Sequence, residues 1–224
     1  MRKNTGSDMT YKLVLFDMDG TLLNGRTVFV IARERGFEGE LQDIMNSDMK
    51  PYEKTERIAM LLAGMTVEDF MSIFRTIPFN RNAEYVVGEL KRRGVKTALA
   101  TDSYHLAAFD VQRRLGIDHA FANEIVVHEN RFTGEVRMHN KHPVKEGDEC
   151  RMHSICKRDV LLHLCKKLDI PPERTIAVGD GEVDIFMLEA AGLGIAFNAP
   201  ETVRKHADIA ASDLIEILKY AREV

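Results

Sequence analysis

The run Leu13-Val14-Leu15-Phe16 is apolar at every position and passes directly into Asp17-Met18-Asp19-Gly20-Thr21. A half-buried strand alternates and an amphipathic helix repeats every third or fourth residue. Four apolar residues in succession, stopped by acids and glycine, therefore predict a strand covered on both faces, as in a parallel sheet. The pattern recurs at Thr97-Ala98-Leu99-Ala100 before Thr101-Asp102, at Thr175-Ile176-Ala177-Val178 before Gly179-Asp180, and from Leu193 to Phe197 before Asn198. Helical stripes separate these runs: Val86, Val87 and Leu90, with Asn82 as the cap and Gly94 as the stop, then Leu161, Leu162, Cys165 and Leu168. Alternating strands and helices predict an α/β fold with a doubly wound, mostly parallel sheet, whose ligands gather at the carboxyl ends of the strands.

Two stretches depart from this alternation. Between the first and second strands, Leu41, Ile44 and Met45, then Ile58, Leu61 and Leu62, then Val67, Phe70, Met71 and Phe74 form successive apolar faces without strand signals. Pro51 suits a first helical turn, Gly64 a helix end, Thr66 an N-cap and Pro78 a return to the sheet, so a small all-helical cap is predicted over 25–79, with the core formed by 10–24 and 80–224. Later, Glu124-Ile125-Val126-Val127 and Arg131-Phe132 flank Glu129-Asn130, which predicts a β-hairpin late in the core.

At 224 residues the chain has room for one sizeable domain and one appendage. Lysine and arginine number 31 against 35 acids, with no long run of one sign, which argues against nucleic acid or an acidic membrane surface as partner. No apolar stretch is long enough for a membrane span or a signal sequence, and Met1 to Thr10 reads as a loose tail. Three cysteines, an odd number, argue against a disulfide framework and for a reducing, cytoplasmic setting. His139, His142, Cys150, His153 and Cys156 crowd one segment, but their spacing matches no paired zinc pattern; a solvated loop or extended hairpin without zinc is the expectation.

The chemistry concentrates at the strand ends. Asp17 and Asp19, separated by a Met18 that points away, bring two carboxylates to one buried strand end, and Asp180 and Asp184 arrive at another. Like charges so placed call for a cation, and an all-oxygen donor set favours a hard one such as Mg²⁺. Thr101 ends the strand between, and Lys157 opens a helix, where a cation is unfavourable by roughly 0.3–1 kcal/mol unless it serves a neighbouring charge.

In this order, Asp17-x-Asp19-Gly20-Thr21, Thr101, Lys157 and Gly179-Asp180-x-x-x-Asp184 resemble the motifs of the haloacid dehalogenase superfamily of phosphohydrolases, from Lys12 onward. Ala120-Phe121-Ala122-Asn123, Phe132-Thr133-Gly134 and the stretch from Ala177 to Tyr220 look most like its phosphoserine phosphatase branch. The resemblance implies a Rossmann-like core and a phosphoric monoester hydrolase. Asp17 would be the nucleophile that forms an aspartyl-phosphate, and Asp19 the general acid and base. Thr101 and Lys157 would hold the phosphoryl oxygens. Mg²⁺ would sit between Asp17 and Asp180, completed by the Asp19 main-chain carbonyl, with Asp184 supporting the metal or Lys157. The partner would be a small phosphorylated metabolite, and the state a monomer or homodimer. A phosphotransferase or phosphomutase would use the same Asp17 and is separated from a hydrolase by release of inorganic phosphate with water as sole acceptor; a receiver-like phosphorylated signalling module shares clustered acids, but the Asp19 general acid and the helical insert argue against it.

Three positions depart from that branch. Arg26 stands where phosphoserine phosphatases carry a glutamate for the substrate ammonium; Asp102-Ser103 follow Thr101 in place of glycines; Val183 replaces an asparagine. Arg57 lies near the branch's carboxylate-binding arginine. Arg26 and Asp102 are therefore taken as substrate-binding, with Arg26 disfavouring an ammonium and favouring a second anionic or hydroxyl-rich group. Were Arg26 turned to solvent, Glu53 or Glu56 would be the acids left to recognise an amine.

Overall fold

A computed structural model describes residues 10–144 and 146–221 of the chain; most of the expected N-terminal tail lies outside the described residues. Strand β1 (Leu13–Phe16) stands at the centre of a seven-stranded sheet. Beside it run β2 (Lys96–Tyr104), β3 (His119–His128) and β4 (Arg131–Arg137) on one side, with β5 (Thr175–Gly179), β6 (Leu193–Phe197) and β7 (Ile209–Ala211) on the other. Pairing is parallel throughout except between β3 and β4. The double covering of β1 follows its alternation: Val14 and Phe16 enter one apolar cluster, Leu13 and Leu15 the other.

Helices α1 (Thr27–Arg35), α2 (Glu38–Asn46), α3 (Pro51–Leu61) and α4 (Val67–Phe74) follow β1. Pro51 takes the first turn of α3, where Glu53 also accepts the Lys50 amide, and the Thr66 hydroxyl accepts the Asp69 amide to start α4, as the sequence predicts. In the core, α5 (Ala83–Arg92) and α6 (His105–Leu115) pack on one sheet face, while α7 (Lys157–Leu168) and α8 (Ile185–Ala190) pack on the other; a short α9 (Glu201–Arg204) precedes β7.

Four expectations need correction. Asn82 precedes α5, but with a left-handed φ of 64°; its amide group bonds both Asp213 oxygens, at 2.8 and 3.0 Å, rather than the helix. Leu162 is exposed and Leu164 is buried, because α7 turns its apolar face along Val160, Leu161, Leu164 and Cys165. Strand β2 does not stop at Ala100 but runs on to Tyr104 through a break in register. The cysteine argument also fails: Cys150 and Cys156 are joined in a disulfide, and only Cys165 among the three is a free thiol. An odd count leaves room for a pair, so it no longer speaks for a reducing compartment. Both paired residues are buried, as is Ser154 between them, so the end of the segment packs against the protein, while Lys141, His142, Glu146 and Gly147 before it are exposed. No helix among the described residues is long and apolar enough to cross a membrane.

The hairpin does more than extend the sheet. Glu129 and Asn130 both take positive φ, 45° and 63°, as a tight two-residue turn requires, and β4 then meets the chain between α3 and α4: the Phe132 amide donates to Met65 O at 2.9 Å and its carbonyl accepts from Gly64 at 2.8 Å. Phe132 packs edge-on to Phe70 of α4 at 5.1 Å, and Phe70 in turn meets Tyr104 at 6.3 Å. Arg75, after α4, adds a two-pronged contact with the buried Asp110 of α6, at 3.2 and 2.8 Å. The inserted helices are thus clamped to the sheet from two sides. Phe132→Ala removes the ring shared by both parts and is expected to cost about 3–5 kcal/mol in denaturant-induced unfolding; a loss below about 1 kcal/mol would show that the aromatic contact is not a structural anchor.

Candidate active site

Strand β1 delivers Asp17, with Met18 turned into the core, as expected. The chain then folds back through Gly20, whose φ is +86° and whose missing side chain matters: a Cβ there would lie 2.5 Å from Asp180 Oδ2. Gly179 plays the same part for Asp184, since its Cβ would fall 2.4 Å from that carboxyl carbon. Gly20 is therefore a clearance that lets Asp180 approach the turn after β1, and Gly179 one that lets Asp184 fold back onto the end of β5. Asn80, which the sequence does not single out, holds the turn with one amide nitrogen directed at the carbonyls of Gly20, Thr21 and Leu23, 2.8–3.1 Å away.

Asp17, Asp180 and Asp184 each present a carboxylate oxygen within 4.8 Å of the others. Lys157, at the first turn of α7 and 1% exposed, donates to Asp17 and, at 2.6 Å, to Asp184. Asp184 is positioned in turn by the amides of Asp180 and Gly181, at 3.1 and 3.0 Å. Burial alone would strip Lys157 of its proton, but the adjoining Asp17 and Asp184 outweigh it and raise its pKa. Asp17 is pushed well above the usual carboxylate range, first by burial and then by Asp184 and Asp180, against the opposing pull of Lys157. One lysine does not balance three carboxylates. The imbalance and the all-oxygen donor set fit a bound hard divalent cation.

Asp19 turns away from that cluster. Its Oδ1 accepts both the amide and the hydroxyl of Thr27, at 3.0 and 2.6 Å, so the first residue of α1 orients it. Burial raises its pKa to about 6, in spite of the two Thr27 hydrogen bonds. Thr27 is a second functional residue that sequence reasoning missed; a threonine at a helix start reads only as a helix former's neighbour.

The break in the β2–β3 register explains Thr101, Asp102 and Ser103. Ala100 pairs with Phe121 and Tyr104 with Asn123, so the three residues between them stand opposite Ala122 alone and bulge toward the site. The buried Thr101 hydroxyl accepts the Ser103 amide at 3.1 Å. Asp102 is exposed and, with Asp19, Ser103 and Tyr104, lines one wall of a small pocket of about 70 Å³; Val28, Thr55 and Ile58 line the other. The remaining candidates lie apart from it. Arg26 is 54% exposed on its side chain and bonds Asp180 Oδ2 at 2.9 Å. Arg57 is exposed with its guanidinium against Met60, and Glu56 lines a separate groove with Val136.

The family of haloacid dehalogenase-like hydrolases matches residues 11–192. The chain is 36% identical to a phosphoserine phosphatase of Methanocaldococcus jannaschii, over 94% of this chain and 98% of that one. It is 35% identical to a phosphoserine phosphatase of Idiomarina loihiensis, over 92% and 91%. Among solved structures, a phospho-aspartyl intermediate analogue of phosphoserine phosphatase superposes with a TM-score of 0.82 at 33% identity, covering 95% of this chain and all of the other. A substrate-bound phosphoserine phosphatase complex gives 0.82 at 32% identity, covering 96% and 100%. The match extends along nearly the whole chain, and the chain belongs to the haloacid dehalogenase-like hydrolases, as a phosphoric monoester hydrolase of the phosphoserine-phosphatase-like branch.

Proposed function

We propose that the protein hydrolyses a small phosphomonoester with Mg²⁺, through a covalent phosphate on Asp17. The observation that carries this is Lys157 donating to both Asp17 and Asp184 inside a three-carboxylate cluster, next to a pocket walled by Asp19. Asp17, Asp180 and Asp184, with the Asp19 main-chain carbonyl, would hold the magnesium. Bound there, it would offset the negative charge that otherwise repels a phosphate dianion from a carboxylate.

The residues then divide the work. Lys157 and the Thr101 hydroxyl hold the phosphoryl oxygens. A carboxylate oxygen of Asp17 bonds to phosphorus as the ester P–O bond breaks, and Asp19 gives its proton to the departing alkoxide. Asp19, now a base, takes a proton from water; the water oxygen bonds to phosphorus, the Asp17–phosphorus bond breaks, and inorganic phosphate leaves. Thr27 keeps Asp19 aimed through both steps. Water as the sole acceptor separates this reading from a phosphotransferase, which would need a second alcohol in the pocket.

Asp17→Asn keeps the shape of the side chain but loses its nucleophilicity and charge. It is expected to leave the circular dichroism spectrum unchanged and to abolish phosphate release; appreciable turnover by the folded variant would overturn the mechanism. EDTA should abolish activity, Mg²⁺ restore it and Ca²⁺, with its larger and looser shell, suppress it. Full turnover in a metal-free preparation would overturn the metal role.

Phosphoserine is the substrate named for the relatives; here Arg26 points to a different preference. Its guanidinium, drawn to Asp180, lies in the field of Asp17, Asp102 and Asp19, and it repels an ammonium where an acid would attract one. Because the side chain is half exposed, water weakens this discrimination to about tenfold rather than the thousandfold of a sealed pair. Wild type is expected to favour phosphoglycolate or a sugar phosphate over phosphoserine in kcat/KM, and Arg26→Glu to shift the ratio toward phosphoserine. A wild-type preference for phosphoserine that Arg26→Glu leaves unaltered would end this assignment.

A further inference from the structure

The segment between β4 and α7 is folded back on itself by Asn140, whose amide donates to Ser154 O at 2.7 Å and whose side chain reaches Arg151 O and His153 O at 2.9 and 3.1 Å. The Cys150–Cys156 disulfide closes the same loop. What this folding delivers is the Ser154 hydroxyl, on a residue 1% exposed and three positions before Lys157. Ser154 Oγ accepts from Asn123 Nδ2 at 2.9 Å and bonds the Thr55 hydroxyl at 3.1 Å. The same Asn123 nitrogen donates to Asp102 O at 2.7 Å, and Asn123 Oδ1 accepts the His139 amide at 3.0 Å. One oxygen atom thus joins α3, the bulge that carries Thr101 and Asp102, and the chain that leads into Lys157.

The Thr55 end of this junction differs from the Asn123 end. Thr55 Oγ1 lies 3.2 Å from Pro51 O of its own helix, almost as near as its 3.1 Å contact with Ser154. A hydroxyl both donates and accepts, so Thr55 can give its one hydrogen to Pro51 O while sharing the hydrogen of the Ser154 hydroxyl, and the two contacts hold together. If α3 moves off Ser154, Thr55 keeps its bond to Pro51 O and the Ser154–Thr55 contact alone is broken at that end. Asn123 has no such alternative in view: it is fully buried and already bonded at both ends of its amide. Thr55 also lines the pocket opposite Asp102, so its approach narrows the space available to a leaving group.

We propose that Ser154 is a positioning residue, the fixed half of a releasable clasp that sets α3 against the Asp102 bulge when the pocket closes and frees α3 when it opens. It acts through Thr55 and Asn123, without touching substrate. The activity part of its test rests on the phosphatase reading above; the exchange part does not.

The experiment compares wild type, Ser154→Ala, Thr55→Val, the double variant and Ser154→Thr by amide hydrogen exchange and by steady-state kinetics. The kinetics use whichever of phosphoserine, phosphoglycolate and a sugar phosphate wild type turns over fastest. Ser154→Ala should speed exchange in Pro51–Leu61 and in the chain entering Lys157 while leaving β6 and β7 at wild-type protection. Its kcat should fall about tenfold, the rate equivalent of one hydrogen bond lost at the transition state, with KM moving by less than about threefold. Thr55→Val, which leaves the Asn123–Ser154 bond in place, should speed exchange in Pro51–Leu61 alone, the double variant should be no worse than Ser154→Ala, and Ser154→Thr should restore both readouts. Unchanged α3 exchange in the folded Ser154→Ala variant overturns the clasp, as does faster exchange spread across the whole sheet, which would mark a general loss of stability. Additive losses in the double variant overturn it as well. If wild type releases phosphate from none of the three esters, the phosphatase reading falls and the exchange result alone decides the clasp.

Discussion

The ammonium of Lys157 lies out of water between Asp17 and Asp184, and the surrounding architecture is arranged around that fact. Breaking such a buried pair from one side typically costs about 3–5 kcal/mol, because the other charge is left without solvent or partner. Three elements must therefore agree on the position of one nitrogen: β1 for Asp17, the turn after β5 for Asp184, and the first turn of α7 for the lysine itself. A cation at a helix N-terminus runs against the helix dipole. Its placement there makes sense only because two carboxylates reach it, and Asp184 reaches it only because Gly179 leaves the space, as Gly20 does for Asp180.

The excess of negative charge has a second consequence. Asp17, Asp180 and Asp184 outnumber Lys157, and the nearest further cation, Arg26, binds Asp180 from the exposed side. Asp19 is kept out of this competition by Thr27 and remains in its own environment, with a pKa near 6. Burial raises both carboxyl groups, Asp17 well above the usual range and Asp19 to about 6, while different neighbours oppose the rise: Lys157 at Asp17 and Thr27 at Asp19.

Much of this was legible from the residues because strand ends leave a strong signal. An apolar run that stops at acids marks both the fold and the edge where charges collect, so the convergence of Asp17, Lys157, Asp180 and Asp184 could be named in advance, as could the helices between β1 and β2. What stayed hidden depends on side chains of common type acting at long range. Asn80 and Thr27 hold the site through contacts that carry no local pattern. Asn82 sits where a helix cap belongs but serves Asp213, 131 positions away. The Cys150–Cys156 pair and the Ser154 junction arise in a segment whose histidines and cysteines invite a metal reading, while its actual work is done by asparagine, serine and a disulfide.

Strand β4 forms the outer margin of the sheet, and such a margin offers unpaired backbone groups to any other chain with a matching strand. Here the first half of that margin is already occupied: Phe132 exchanges hydrogen bonds with Gly64 and Met65, and Arg131 bridges to Thr66. Toward its end β4 carries Glu135 and Arg137, both exposed and charged. The helices inserted after β1 therefore shield the protein from edge-to-edge aggregation as well as covering the pocket. That dual duty constrains how the insert can be reshaped: its pocket-facing residues can change, but the stretch from Gly64 to Thr66 must still meet β4, or the first half of that margin is left open to another strand.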